Sequence, residues 1–377
     1  MLYNPPKVVF GQDSLAQMTE DYLSLGYKRL FVLTIPSVFE KISPILNSLN
    51  QKDISLKTSF GITGEPSFAD FKAILKEAEN FNADFIAGIG GGSVMDVAKI
   101  VAALLYSNQE IRSVTGNGKV KHRKTHLICM PTTSGTGSEV SPNALLMDIE
   151  KNSKVAIVSP FLVPDSVYID PALTLSLPPS VTAYTGIDAL THCIEAYTNR
   201  FAHPMIDVLA LDGIRLITAN LSIAFKNGAD LEARSKLSLG SLYGGMCLGP
   251  VNTAAVHALA YPLGCEFKIA HGLSNSLLLP YVMDFNLPGN ETRYAEIAFA
   301  AGVIKGKSDF ETAVSGIALI RKLICDYGLP SHLSDMGIPA KAISGLAQSA
   351  MSVQRLLKNN PKEISFDDAE YIYKAAY

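Results

Sequence analysis

The first half of the chain alternates short apolar runs with stretches whose apolar residues recur every three or four positions. The apolar runs predict strands at residues 28–35, 53–60, 85–90, 126–130 and 167–170. The stretches between them predict helices at residues 39–50, at 68–80 and from the glycines after residue 90 to residue 106. Such alternation is typical of a parallel, doubly wound sheet. We therefore predict an α/β domain over residues 1–178.

The pattern changes after Pro178 and Pro179. Paired prolines can continue neither a helix nor a central strand, so they indicate a domain boundary. Beyond them the apolar period is helical almost throughout, with interruptions at Gly and Pro. We therefore predict an all-α domain over residues 179–377.

Composition narrows the class of protein. The chain has 377 residues, 48% of them hydrophobic, which is enough for two domains with their own cores. The net charge is −3 and the one basic stretch, residues 119–124, has the character of a solvated loop, so we expect no binding to nucleic acid. We see no apolar run long enough to span a bilayer and no signal peptide. Five cysteines without C-x-x-C spacing suit reduced thiols in the cytoplasm.

Four residues of the second half could hold a metal ion. Asp188 and His192 lie four residues apart, on one face of a predicted helix, and His257 and His271 follow in apolar stretches rich in Gly and Ala. A lone Asp/His pair is more often a hydrogen bond in a core or at a surface. The two further imidazoles shift the balance, because buried imidazoles need partners and one cation supplies a partner for all three.

Two stretches of the first half could hold phosphates. In residues 88–96 a strand ends in glycines and a helix begins, so backbone N–H groups could approach a pyrophosphate. This is not a full G-x-G-x-x-G motif, and many strand-to-helix turns contain glycine for steric reasons alone. Residues 131–139 (PTTSGTGSE) follow a buried strand and combine hydroxyls with glycines, which suits a nucleotide better than a flexible surface loop.

Together these stretches resemble the iron-containing (group III) alcohol dehydrogenase family. They occur in the family's order and spacing: Gly90–Ser93 with Asp96, residues 131–139, residues 186–197, and His257 with His271. The similarity extends from the strand near Lys28 to Asn359-Asn360-Pro361. It implies a dinucleotide-binding α/β domain, a helical metal-binding domain and an active site in the cleft between them. It further implies a homodimer or larger homo-oligomer that exchanges a hydride between a small alcohol, diol or aldehyde and NAD or NADP.

The resemblance also implies roles for individual residues. A single Fe²⁺, or in some members Zn²⁺, would be held by Asp188, His192, His257 and His271. The dinucleotide would be lined by Gly91, Gly92, Ser93, Thr132, Thr133, Ser141, Asn143, Lys154 and Leu173.

The implied ligand set suits a catalytic metal. Three neutral imidazoles and one carboxylate leave a divalent ion with a net positive charge, which can lower the pKa of a bound alcohol and polarise an aldehyde. Four protein ligands would also close a tetrahedral zinc site, which would then be structural. Iron accepts five or six ligands and leaves room for the substrate oxygen, so we favour Fe²⁺.

Two positions depart from the usual family pattern. Ile35 stands where many members carry an Asp that binds the adenosine ribose, so we expect weak discrimination between NAD and NADP. Tyr261 stands four residues after His257, where many members have a His assigned to the proton path. A phenol titrates near 10, so a catalytic Tyr261 should shift alcohol oxidation towards alkaline pH. The alternative is that Tyr261, followed by Pro262, packs the end of a helix.

Other functions remain open at the level of sequence. Glycerol dehydrogenases and dehydroquinate synthases share the general architecture, although the segment from His257 to His271 fits the alcohol dehydrogenase branch better. A different class is a non-catalytic nucleotide-binding sensor with a structural metal.

Overall fold

A computed structural model describes residues 3–49 and 53–377, which form two compact units. The first unit runs to Thr133 and resumes over Gly137–Ser176. The second comprises Ser134–Thr136 and Leu177–Tyr377. We predicted a single boundary at residue 178 and did not predict that Ser134–Thr136 would belong to the second unit.

The first unit is built on a six-stranded sheet in which every neighbouring pair is parallel. The order is β1-β9-β6-β4-β2-β3. In chain order the strands of the unit are β1 (Lys7–Phe10), β2 (Arg29–Leu33), β3 (Ser55–Ser59), β4 (Phe85–Gly90), β5 (Gly116–Asn117), β6 (His126–Pro131), β7 (Asn143–Asp148), β8 (Ser153–Val158) and β9 (Ser166–Ile169). The predicted parallel α/β fold is confirmed.

Helices cover both faces of this sheet. They are α1 (Ser14–Leu25), α2 (Pro36–Asn47), α3 (Phe68–Phe81) and α4 (Gly92–Leu104). Successive residues of β2 enter different cores: Phe31 packs with the apolar faces of α3 and α4, whereas Leu30 and Val32 pack with those of α1 and α2. This alternation follows from the period of two along a strand and explains why residues 30–33 of β2 are all apolar. The helix predicted over residues 39–50 corresponds to α2, and its predicted end, Asn50, lies outside the described residues.

A smaller sheet in the order β5-β8-β7 was not predicted. β7 and β8 pair antiparallel across a turn at residues 149–152. β8 contains the apolar run 155–158, but it is only partly buried over most of its length. β1 was missed because this edge strand has only four residues, three of them exposed.

The strand order reverses next to β2 and β4. In sequence β2 leads to β3 on one side, whereas β4 leads to β6 and β9 on the other. Leu33 lies beside Gly88, and Gly90 lies beside Pro131. Open α/β sheets bind ligands at the carboxyl ends of the strands where the order reverses. The residues that follow β2, β4 and β6 therefore lie where this fold binds a ligand.

The second unit is helical, as predicted. In the described residues its helices are α5 (Pro179–Thr198), α6 (Pro204–Lys226), α7 (Leu231–Leu248), α8 (Ala255–Phe267), α9 (His271–Asn286), α10 (Glu291–Ala300), α11 (Asp309–Asp326), α12 (Ile343–Met351), α13 (Gln354–Leu357) and α14 (Phe366–Ala375). Pro179 is the first residue of α5, where its missing N–H costs nothing. Pro262 does not end α8, which continues to Phe267 and stops at Lys268 in the left-handed conformation. Tyr261 therefore lies within the helix and not at its end.

Contrary to the expectation from sequence, one helix, α6, is long and apolar enough to cross a bilayer by length and composition alone. It packs instead along α5 and α7. A Cβ placed on its Gly213 would lie 2.6 Å from Cys193 Sγ of α5 and 3.4 Å from the Gly240 carbonyl oxygen of α7. Such close approach is typical of a helix in a globular core.

Candidate functional site

Helix α5 carries the first two candidate metal ligands. Asp188 and His192 are buried, one turn apart on the same face, and His192 Nε2 lies 4.0 Å from Asp188 Oδ1. The helix is buried along most of its length, so the carboxylate and imidazole have little access to water. Charged or polar groups in this setting need partners within the protein or a bound ion.

Helices α8 and α9 bring the other two imidazoles to the same carboxylate. His257 Nε2 lies 3.6 Å from Asp188 Oδ1, and His271 Nε2 lies 3.9 Å from it. His257 Nε2 is 3.0 Å from His192 Nε2. The structure thus places all four predicted ligands in one cluster, three of them buried and His271 partly exposed.

The hydrogen bonds around the cluster leave its nitrogen lone pairs facing inward. His192 Nδ1 lies 3.2 Å from the Gly135 carbonyl oxygen, which only accepts, so Nδ1 holds the proton and Nε2 is bare. His257 Nδ1 lies 2.6 Å from Glu195 Oε2, which fixes the same tautomer. Asn275 Nδ2 lies 3.1 Å from His257 Nε2 and can donate to it, but the two unprotonated nitrogens of His192 and His257, 3.0 Å apart, still repel each other unless a cation lies close to both. The donor set of three imidazoles and one carboxylate fits a divalent ion of intermediate softness such as Fe²⁺ or Zn²⁺.

The electrostatics of the cluster point the same way. Burial alone would raise the pKa of Asp188, but positive charge on His192, His271 and His257, together with the Asn275 amide, outweighs it and lowers the pKa. Burial lowers the pKa of His192 despite the nearby Asp188 carboxylate. An ionised carboxylate facing a neutral imidazole is the protonation state that metal binding requires.

Two residues that support the cluster were missed from the sequence. Glu195 lies on α5, seven residues after Asp188, and its carboxylate accepts from the Val256 N–H as well as from His257. Asn275 lies on α9, four residues after His271, and its Nδ2 donates to Asp188 Oδ1 at 2.6 Å. Their helical spacing from the predicted ligands was the available signal, since residues three, four or seven apart share a helix face.

The glycine-rich turn after β4 begins helix α4. Gly91 is the N-cap, and Gly92 and Ser93 form the first turn. A Cβ on Gly91 would meet Thr133 only at ordinary contact distances of 3.7 and 3.8 Å, so the protein's own packing leaves room there. Thr132 N donates to the Gly90 carbonyl oxygen at 3.0 Å. The structure therefore brings five of the predicted dinucleotide residues together at the reversal of strand order: Gly91, Gly92, Ser93, Thr132 and Thr133.

The remaining predicted dinucleotide residues lie outside this turn. Ser141 and Asn143 flank the start of β7, Lys154 on β8 forms an ion pair with Glu65 at 2.6 Å, and Leu173 lies in a 3-10 helix after β9. Leu173 packs against the core shared by α1 and α2.

A buried lysine anchors the segment that carries Ser141 and Asn143. Lys99 of α4 is fully buried and donates to the carbonyl oxygens of Ser138, at 2.8 Å, and of Asn143. Asp96, one turn earlier on α4, accepts from Ser138 Oγ at 2.5 Å and from the Leu145 N–H at 2.9 Å. Asp96 belongs to the motif recognised in the sequence, whereas Lys99 was missed because in sequence it looks like an ordinary charged residue on a helix.

The two residues that depart from the usual family pattern, Ile35 and Tyr261, lie in different units of the structure. Ile35 is the N-cap of α2, two residues after the end of β2, and packs against both cores of the first unit. Tyr261 is buried, with its ring centroid 6.0 Å from that of His271. Ile35 thus lies at the reversal of strand order, and Tyr261 lies beside the metal cluster.

Comparison with known proteins settles the family. Residues 5–171 match the model described as iron-containing alcohol dehydrogenase, and residues 182–377 match the one described as Fe-containing alcohol dehydrogenase family, C-terminal. The chain belongs to the iron-containing alcohol dehydrogenase family. The resemblance inferred from the motifs is thereby confirmed.

Several known proteins resemble this chain in both sequence and structure. Long-chain-alcohol dehydrogenase 1 of Geobacillus thermodenitrificans is 36% identical over 99% of this chain and 95% of its own. A crystal structure of 1,3-propanediol oxidoreductase superposes with a TM-score of 0.96 at 30% identity, covering 100% and 99% of the two chains. Sulfoacetaldehyde reductase from Bifidobacterium kashiwanohense, solved in complex with NAD⁺, gives 0.89 at 26% identity, covering 100% and 98%.

These matches establish the type of reaction. The protein is an oxidoreductase of the alcohol dehydrogenase type, which transfers a hydride between an alcohol or aldehyde and a nicotinamide cofactor. The family uses a metal and NAD, and the cluster around Asp188 supplies a group of ligands able to hold such a metal.

Proposed function

We propose that the protein interconverts a small alcohol or diol with its aldehyde, using Fe²⁺ held by Asp188, His192, His257 and His271. The observation that carries the proposal is the pair of bare Nε2 atoms of His192 and His257, 3.0 Å apart beside one buried carboxylate. A divalent ion bound there would act as a Lewis acid that polarises the C–O bond of the substrate.

The chain's own residues prepare the cluster for that ion. The Gly135 carbonyl and the Glu195 carboxylate hold the Nδ1 protons, so that both Nε2 atoms face Asp188. Asn275 holds the Asp188 carboxylate from the opposite helix. Burial of the cluster keeps water away and strengthens every electrostatic interaction with a reacting oxygen.

We assign the dinucleotide to residues 1–178 and the metal to residues 179–377. Nucleotide phosphates would bind at the N-terminus of α4, where Gly91, Gly92 and Ser93 present backbone N–H groups. Thr132 and Thr133 add hydroxyls next to it, and Ser141, Asn143, Lys154 and Leu173 complete the proposed set. Ile35 supplies neither an acceptor for the ribose nor a charge against a 2′-phosphate, so both NAD and NADP are accepted.

The substrate class follows from the relatives and from the cluster. One relative acts on long-chain alcohols and a structural neighbour on 1,3-propanediol, by their names. We propose that a primary hydroxyl or aldehyde is the reacting group. Tyr261, beside His271, takes part in the proton transfer that accompanies hydride transfer.

The setting of the enzyme completes the proposal. We propose a homodimer or larger homo-oligomer in the cytoplasm that binds neither nucleic acid nor membrane. The five cysteines are free, which suits a reducing compartment. Helix α6 packs into the helical unit, which argues against a membrane role for its apolar surface.

The test is anaerobic removal and replacement of the metal. Protein stripped by a chelator is assayed through the absorbance of reduced nicotinamide, with NAD and with NADP, on primary alcohols, diols and aldehydes of increasing length. We expect no turnover without metal, full recovery with Fe²⁺ and a lower rate with Zn²⁺, which favours four ligands. Thermal unfolding of the stripped protein checks that the fold is intact.

Three results would each contradict a part of the proposal. Full turnover in metal-free protein would remove the metal from the mechanism. Recovery with Zn²⁺ alone would make zinc the working metal. Nucleotide binding without turnover on any substrate, in protein with one bound metal per chain, would indicate a sensor and not an enzyme.

A further inference from the structure

One carboxylate joins two helices of the metal cluster. Glu195 of α5 is buried, and its two oxygens have separate partners at the start of α8. Oε1 accepts from the Val256 N–H at 2.6 Å, and Oε2 lies 2.6 Å from His257 Nδ1. Val256 and His257 are the second and third residues of α8.

The start of α8 has no local alternative to Glu195. The N-cap residue is Ala254, which offers no side-chain acceptor. The first N–H groups of a helix lack intrahelical partners and stabilise a negative charge placed near them. Glu195, from a different helix, supplies both an acceptor for a first-turn N–H group and a negative charge near the start of α8. The same carboxylate also reaches the side chain of His257, a candidate metal ligand.

We propose that Glu195 is a positioning residue of the metal centre. With one oxygen it fixes the first turn of α8, and with the other it holds the proton of His257 on Nδ1, so that Nε2 faces the metal. The proposal rests on the proposed function in that it assigns a metal to this cluster. Its first consequence, the tautomer of His257, does not depend on whether a metal is bound.

The two bonds cannot both survive in an amide. Glutamine has nearly the shape of glutamate, but it presents one acceptor oxygen and one donor nitrogen. If the oxygen stays on Val256, the amide nitrogen faces His257 Nδ1, and the imidazole must move its proton to Nε2. If the oxygen turns to His257, the Val256 N–H loses its acceptor. Aspartate keeps two acceptor oxygens and the charge, although it is one methylene shorter.

The experiment compares Glu195→Gln and Glu195→Asp with the parent and with Glu266→Gln. Glu266 lies on α8, is exposed, and bonds Ser349 Oγ at 3.0 Å, so it is the same substitution on the same helix away from the cluster. Imidazole nitrogen shifts of metal-free protein, by NMR with ¹⁵N-labelled histidine, report the tautomer of His257. Competition with a chromophoric chelator for Zn²⁺ measures metal affinity, and thermal unfolding measures stability.

We expect Glu195→Gln to lose about 10- to 100-fold in Zn²⁺ affinity, as is usual for partners of metal-bound imidazoles. The His257 proton should move to Nε2 in the same variant. Glu195→Asp should retain the Nδ1 tautomer and bind Zn²⁺ more tightly than Glu195→Gln, although glutamine is closer in size. Glu266→Gln should match the parent in all three measurements.

A purely structural role gives a different pattern. Lower stability in Glu195→Gln with unchanged tautomer and Zn²⁺ affinity would overturn the proposal, as would tighter Zn²⁺ binding by Glu195→Gln than by Glu195→Asp. If the parent itself binds no divalent ion, the proposed function fails, and the tautomer comparison still decides whether Glu195 orients His257.

Discussion

A single methyl group at Gly272 should separate His271 from the other three proposed metal ligands. Gly272 follows His271 in the first turn of α9. A Cβ placed there would lie 2.6 Å from the carbonyl oxygen of Tyr184, one turn before Asp188 on α5. The obstacle is backbone, which cannot rotate away as a side chain can. Gly272→Ala therefore requires α9 to move relative to α5.

The size of that movement can be worked out from the contact. Carbon and carbonyl oxygen in van der Waals contact lie about 3.3–3.6 Å apart, so α9 must retreat by roughly 0.8 Å. Metal–ligand distances tolerate deviations of only about 0.2 Å. Forcing a methyl group into a packed site costs about 1–3 kcal/mol. His271 should thus be displaced by several times what a metal site accepts.

The assay measures metal affinity and stability on the same variants. We expect Gly272→Ala to bind Zn²⁺ or Fe²⁺ at least about tenfold more weakly, which corresponds to about 1.4 kcal/mol. The metal-free variant should also unfold at lower temperature. Gly345→Ala is the matched control, because Gly345 is exposed within α12 and a Cβ there would meet nothing within 4 Å. This control should gain about 0.5–1 kcal/mol of stability from helix propensity and leave metal affinity unchanged.

Unchanged metal affinity in Gly272→Ala would contradict this prediction. That result would mean that α9 yields without moving His271, or that His271 does not bind the metal. A histidine-to-alanine change at position 271 separates these two readings, because it lowers metal affinity only if His271 is a ligand.

Four further outcomes are expected. Ile35→Asp should raise the KM for NADP by at least about tenfold and leave that for NAD nearly unchanged, because a carboxylate repels the 2′-phosphate; equal changes for both cofactors would contradict this. Gly91→Ala should raise the KM for NAD with no loss of thermal stability, since the protein's own atoms leave room for the methyl group. Tyr261→Phe should lower kcat by at least about tenfold without changing metal affinity, if the hydroxyl takes part in proton transfer. Burial raises the pKa of Glu139 from 4.5 to about 7 despite the nearby Lys99. The Glu139 carboxyl therefore ionises at lower pH in the unfolded chain than in the folded protein, and the free energy of unfolding falls as the pH rises from 4.5 to 7. Glu139→Gln should remove this loss, raising the free energy of unfolding by up to about 3 kcal/mol at pH 8 and little at pH 4, as denaturant titrations would measure.

The sequence predicted the central strands well because they are buried on both faces. β2 and β4 appear as continuous apolar runs, and the structure places them in the middle of the sheet within two residues of the predicted limits. β1 escaped because it has only four residues and pairs with β9, which lies far along the chain. β7 and β8 contain the apolar runs 144–147 and 155–158, but these short runs were not recognised as strands.

The candidate site was predicted in the same partial way. Asp188 and His192 follow from helical spacing alone, since both lie on one helix. His257 and His271 were added because they lie in apolar stretches where buried imidazoles need partners, and the family resemblance supported the full set. Their approach to Asp188 is set by how α8 and α9 pack on α5, which no local pattern encodes. Pro262 suggested the end of a helix, but the remaining bonds and the packing of α8 outweigh one missing N–H.

The spacing of Asp188, His192 and Glu195 along α5 has a consequence for how this protein can diverge. Residues on an α-helix are separated by about 100° of rotation, so inserting or deleting one residue before position 188 turns all three side chains together. After such a change none of them would face α8, and no single compensating substitution could restore them. Point substitutions, by contrast, alter one group and leave the other two in place. Descendants of this chain should therefore lose or change their metal through replacements at these positions, while the length of α5 stays constant.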